Sequence, residues 1–220
     1  MHIGVLGTGT VGRTLSQALV DRGHEVRMGA RAAGNETAVE WAEAAGPLAS
    51  EGSFADAVAF GDMAFNATAG AHSLEALEMA GAEQLAGKLL VDVSNPLDFS
   101  RGMPPTLTVC NDDSLGEQLQ RAFPEARIVK ALNTVTAAVM VQPDLLPGTH
   151  TIFVCGDDAG AKEQAGRLLQ EFGWPADSIL DLGDIGAARG MEMYLLLWLR
   201  LWGATGSPLL NVDVRVPADE

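Results

Sequence analysis

The residues most able to do chemistry come first in the chain. Gly7-Thr8-Gly9-Thr10-Val11-Gly12 spaces three glycines as G-x-G-x-x-G directly behind the apolar run Ile3-Gly4-Val5-Leu6. That order, strand then glycine turn then helix, is what a dinucleotide site needs. Gly7 permits the tight turn, Gly9 lets backbone approach a pyrophosphate, and Gly12 lets helix and strand pack closely, while the helix start offers unpaired amides to the anion. Thr8, Thr10 and Val11 complete the loop. The plainer reading is a glycine-rich turn with no ligand. The second strand ends at Gly29-Ala30-Arg31, the offset at which an NAD enzyme carries an acid for the adenine ribose. Arg31 stands there instead, and its planar guanidinium suits the 2′-phosphate of NADP. A solvated arginine at a strand end is the alternative.

In a doubly wound sheet the nicotinamide must lie beyond the switch point, above the fourth to sixth strands. Three predicted strand ends there carry small or polar residues: Ala67-Thr68-Ala69, Ser94-Asn95-Pro96, and Asn133 with Thr134. Such side chains leave room for a ribose and ring and can bond a hydroxyl or carboxamide, although turns use the same residues. Hydride transfer needs a close, dry stack of donor and acceptor more than a nucleophile. Reduction of a carbonyl or imine also needs an acid. Lys88, Lys130 and Lys162 fall in strands or on a charged helix and do not read as one. His72 is the weak catalytic candidate, because it follows the fourth strand beside the expected nicotinamide; Ser73 next to it reads as an ordinary helix cap. No metal site is expected: Cys110 and Cys155 have no second Cys or His at ligand spacing.

The elements that hold these residues alternate. Val/Ile/Leu-rich runs near His2–Leu6, Glu25–Met28, Pro47–Ala49, Met63–Ala67, Leu89–Val93, Arg127–Ala131, Thr151–Cys155 and Ser178–Asp181 predict strands. Helices are predicted near Val11–Asp21, Thr37–Ala45, Phe54–Phe60, Ser73–Met79, Leu115–Ala122, Asp158–Phe172 and Gly186–Trp202. The fold class is therefore α/β, a doubly wound, mostly parallel Rossmann sheet with helices on both faces and a small C-terminal α/β extension. Residues 1–132 form the expected NADP-binding domain, and residues 133–220 the extension. Asn95 to Asp113 reads as a long loop after a strand end.

Composition narrows the partners. The chain has 220 residues, 47% hydrophobic and 20% charged, enough for a real core. With 14 basic against 29 acidic residues its net charge is -15, so neither nucleic acid nor an anionic membrane surface is an expected partner. The start shows no signal-peptide pattern, and Met191–Trp202, interrupted by Arg200, is shorter than the roughly 20 residues a span requires. A cytoplasmic location is expected. That last helix is apolar almost all round, which predicts packing on the sheet and on a partner subunit in a twofold homodimer. Arg189 just ahead of it is read as available for an anionic group.

Six segments, IGVLGTGTVG with GHEVRMGAR, then VDVSNPLDF, KALNTV, FVCGDD and LGDIGAARGMEMYLLLW, together resemble the NADP oxidoreductases dependent on the deazaflavin coenzyme F420. The same fold occurs in the cytosolic domain of six-transmembrane ferric reductases. The resemblance implies NADP(H) as cofactor, with Thr8, Arg31 and the glycine loop as contacts, and a deazaflavin or flavin as the redox acceptor stacked on the nicotinamide. It also implies dimerisation through the C-terminal part. Where the family often has Ser before the arginine and a basic residue shortly after it, this chain has Ala30 and Asn35, which implies weaker phosphate recognition. Two other readings stay open: an NADP-dependent reductase of a small carbonyl or imine, and a non-catalytic NADP-binding regulator.

Overall fold

The computed structural model describes residues 1–217. Its strands are β1 (His2–Leu6), β2 (Glu25–Ala30), β3 (Ala49–Ser53), β4 (Met63–Asn66), β5 (Leu89–Asp92), β6 (Leu97–Asp98), β7 (Thr106–Leu107), β8 (Arg127–Ala131), β9 (Ile152–Cys155) and β10 (Ile179–Asp181). The helices are α1 (Thr10–Asp21), α2 (Glu36–Ala45), α3 (Phe54–Phe60), α4 (Ser73–Ala80), α5 (Ala82–Leu85), α6 (Leu115–Ala122), α7 (Ala137–Val141), α8 (Ala159–Glu171) and α9 (Ala188–Thr205).

Eight of the strands make one sheet in the order β10-β9-β8-β5-β4-β1-β2-β3, and β6 pairs β7 separately. From β3 to β8 every neighbour is parallel, with the chain order reversing between β1 and β4. The sequence expectation of a doubly wound α/β sheet is met. Strands buried on both faces should read as continuous apolar runs, and β4 and β5 do up to their last residues, Asn66 and Asp92. Their side chains alternate between two cores. Ile3, Val5, Phe65, Val91 and Val129 face one, with α1, α7 and α8; Leu6, Ala64, Leu90 and Ile128 face the other, with α3, α4 and α6.

Several boundaries differ from the sequence expectation. The third strand is Ala49–Ser53 rather than Pro47–Ala49; it is an outer strand, where Ser50, Glu51 and Ser53 need no fully apolar surroundings, and its register on Val26–Ala30 fixes its position. Ser53 then caps α3 in a capping box with Asp56. The stretch after β5 is not all loop: β6 and β7 form a short antiparallel pair. The short α5 and α7 have too few turns to show a period and were not expected. The C-terminal strands join the same sheet, but β9 runs antiparallel to β8, so it begins beside the carboxyl end of β8 where the parallel strands finish. β10 is parallel to β9.

Candidate cofactor and substrate cleft

The glycine turn has the geometry its spacing predicts. Gly7 has φ 121°, and a Cβ there would stand 2.6 Å from the Ala67 carbonyl oxygen of the next strand's loop. Gly12 packs on the Gly7 carbonyl so closely that any side chain would overlap it. Gly9 faces open space, with nothing within 4 Å of where its Cβ would be. It precedes α1 without a side-chain cap, so the first-turn amides of that helix are free to meet an anion.

From this turn a cleft follows the carboxyl ends of the strands in two connected chambers. The first, about 400 Å³, is lined by Gly7, Thr8, Gly9, Arg31, Asn35, Glu75 and Met79, among others. The second, about 640 Å³, takes Thr10, Val11, Ser94, Asn95 and Asn133, and its outer wall is Leu195 and Trp198 of α9. Ala67, Thr68, Ala69 and His72 line both. Thus the predicted residues converge, with two exceptions. Gly12 lies beneath the turn, and the Pro96 carbonyl is bonded to Thr108 at the foot of the β6–β7 pair, so these two shape the cleft without lining it.

The first chamber has mixed charge. Arg31 is exposed, and its guanidinium stands 4.0 Å from Glu75, whose carboxylate is also 3.7 Å from His72 Nδ1. At this exposure such pairs are worth little and yield readily to a ligand. Ser73 is not the cap of α4; His72 takes the cap position without a side-chain bond, and the buried Ser73 hydroxyl bonds Thr68 instead, at 2.9 Å. His72 is left solvated at the junction of the chambers, with no group placed to hold its ring in one orientation for proton transfer beyond Glu75.

Under the second chamber lies a buried charged network. Lys130 Nζ donates to Asp92 Oδ2 at 2.8 Å, to the Ser94 carbonyl at 2.7 Å and to Glu192 Oε1 at 2.8 Å, and none of the three charged side chains is more than 1% exposed. Asp92 Oδ1 accepts from Asn66 Nδ2 at 2.8 Å and from the Ser94 hydroxyl at 2.6 Å. Asn66 Oδ1 in turn accepts from Thr68 at 2.6 Å. Glu192 also accepts the Leu115 and Gly116 amides at the start of α6. Burial alone would pull the Lys130 ammonium down; the two carboxylates outweigh it and hold its pKa above the usual lysine value. Asn133 donates to Asn95 and to the Met191 carbonyl, which ties α9 to the strand ends, while its buried Oδ1 has no partner.

Sequence reasoning missed Glu192, Trp198 and the role of Asp92. The signal for Glu192 is an acid among the apolar residues of α9 between Arg189 and Arg200, which once buried needs a cation beside it. Arg189 is not available for an anion: its guanidinium is bidentate on Glu117, at 2.8 and 2.5 Å, and that hydrogen bonding holds the Glu117 carboxyl below the ordinary range. Cys155 is inert, its thiol pushed up to about 12 by burial. A larger surface groove, about 830 Å³, runs along α1 from Thr10 to Arg22, and its Arg22 bonds the carbonyls of Glu171, Ala18 and Val141, a structural tie between helices.

Among the described residues no helix is long and apolar enough to cross a membrane. The family described as NADP oxidoreductase, coenzyme F420-dependent, matches residues 2–96. Among curated proteins, the chain is 31% identical over 200 residues to Metalloreductase STEAP3 of Rattus norvegicus, covering 91% of this chain and 37% of that protein. It is 29% identical over 140 residues to the F420-dependent NADP reductase of Methanocaldococcus jannaschii, covering 60% of each. The chain therefore spans less than two thirds of the length of either. A crystal structure from Arthrobacter sp. FB24, described as that of a candidate F420 dependent NADP-reductase, superposes with a TM-score of 0.92 at 50% identity, over 97% of this chain and 99% of that one. A match of that extent, carried on the glycine turn and the strand-end cleft, makes this chain a member of the coenzyme F420-dependent NADP oxidoreductase family.

Proposed function

We propose that the chain transfers hydride between NADP(H) and a deazaflavin such as coenzyme F420, or a flavin of similar shape. The carrying observation is the two-chambered cleft, polar and glycine-lined at one end and walled by Leu195 and Trp198 at the other. The chain's residues fit the nucleotide. The open side of Gly9 and the uncapped start of α1 suit a pyrophosphate held by Gly7, Thr8, Gly9, Thr10 and Val11. Arg31, with Asn35 nearby, suits the 2′-phosphate. Ala67, Thr68 and Ala69 leave space for the ribose, and Ser94, Asn95 and Asn133, the last with its unpartnered buried Oδ1, suit the carboxamide end. Gly12 and Pro96 support this set from behind.

When bound, the nicotinamide supplies the hydride chemistry. The protein's part is to orient the ring, exclude water and leave one face open to the acceptor. A flavin-type ring takes hydride without a dedicated acid, which agrees with a second chamber whose one titratable histidine, His72, is solvated and loosely held. In this reading residues 1–132, with Asn133 directly after them, hold the nucleotide, and the residues that follow supply the acceptor wall. The exposed apolar face of α9 pairs with that of a second copy. The test is to mix protein and NADPH with oxidised deazaflavin, then with flavin, then with a panel of small carbonyls and imines, following nicotinamide absorbance. Turnover with deazaflavin or flavin alone is the expected result; turnover only with the panel, or none with any acceptor, overturns it.

A further inference from the structure

The buried network beneath the cleft sets two carboxylates against one ammonium. Asp92 and Glu192 each bond Lys130, and among the described residues no second cation bonds either carboxylate. Every partner of the two acids is a donor: Lys130, Asn66 and the Ser94 hydroxyl and amide for Asp92, and Lys130 with the Leu115 and Gly116 amides for Glu192. The ammonium, the Asn66 side-chain nitrogen and the backbone amides can only donate, which suits ionised carboxylates, and the Ser94 hydroxyl, the one partner that can also accept, donates to Asp92. The amides at the start of α6 offset part of the Glu192 charge, and the balance remains negative. The network also touches the cleft. Ser94 and Thr68 line the second chamber; the first bonds Asp92 directly and the second reaches it through Asn66. A fold seeking stability alone gains little here, since a buried ionic cluster is often no more stable than apolar packing of the same volume.

We propose that the Lys130–Asp92–Glu192 cluster is a redox-poising group: its excess negative charge favours the oxidised, cationic nicotinamide over the neutral reduced one and so biases the protein toward giving hydride up. The proposal rests on the cofactor reading above. When NADPH loses hydride, the electron pair of a C4–H bond leaves with the hydrogen to the flavin-class acceptor, and the ring left behind gains one positive charge. A fixed negative charge under the floor stabilises that product, and because it is buried, bulk salt screens it weakly.

The experiment measures dissociation constants of NADP+ and NADPH by titration for the wild type, Glu192→Gln and Asp92→Asn, with circular dichroism and melting to identify folded variants. Each substitution removes one negative charge and is expected to raise the ratio Kd(NADP+)/Kd(NADPH) by roughly threefold or more, an order-of-magnitude figure for one charge at protein-interior screening. A positional or packing defect weakens both forms alike and leaves the ratio unchanged; an unchanged ratio in a folded variant overturns the proposal. The wild type provides a readout that needs no variant. Its ratio should shift less than about twofold between low and high salt, since buried charge is poorly screened, and a larger shift would assign the bias to the acidic surface instead. If neither nucleotide binds, the cofactor reading itself falls; if both bind with a ratio indifferent to the charge removed, only this inference does.

Discussion

At the scale of single residues, Arg31 and Asp113 make opposite kinds of forecast. Arg31 is exposed at a strand end with only a distant carboxylate, so its loss leaves the fold intact. Arg31→Ala should weaken NADPH binding by roughly 10- to 100-fold, the worth of a charge-assisted hydrogen bond or two, while NADH binding changes little. Parallel titrations with both nucleotides check this, and equal losses would remove the 2′-phosphate assignment. Asp113 is a matter of stability. Its hydrogen bonds from Arg121 lower its carboxyl from an ordinary 3.8 to about 2. A depressed folded-state value means the contribution is complete above the ordinary range and is lost as the pH falls through about 2. Melting temperatures recorded from pH 5 downward should therefore fall less steeply for Asp113→Asn than for the wild type. That the glycine turn and Arg31 meet in one chamber was legible in the sequence because each stands at a fixed offset from a strand end. Glu192 was not, since its meaning depends on Lys130, far away in the chain, being buried beside it.

At the scale of elements, Lys130 joins β8 to β5 and α9. Lys130→Met leaves two carboxylates buried side by side and should cost about 3–5 kcal/mol, the price of breaking a buried ionic cluster from one end. Urea unfolding measures it; a loss under about 1 kcal/mol would mean that water reaches the site. The alternation of strands and helices was readable from apolar periodicity, which is why β1, β4, β5 and β8 fall within a residue or so of expectation. The polar β3 and five-residue α7 were not, because tertiary contacts and not local pattern define them. Nor could periodicity reveal that β9 runs against β8, since strand direction leaves no mark on composition.

At the scale of the whole molecule, α9 leaves Met193, Leu196 and Leu197 between 39% and 54% exposed in the single chain, a continuous apolar face that a second copy would cover. Leu197→Arg is expected to convert a dimer to a monomer in light scattering at micromolar protein, with the helix content unchanged. A wild type already monomeric there would reject the pairing. The sheet carries a further mechanical meaning. Its ladder is unbroken from β3 to β10, so the segment on either side of residue 132 shares one stiff plate. Such a plate has no crease about which two lobes could swing shut on a guest, and X-ray scattering in solution should give the same radius of gyration with and without NADPH. Entry and departure of the nucleotide are then governed by small adjustments along the rim, not by jaws.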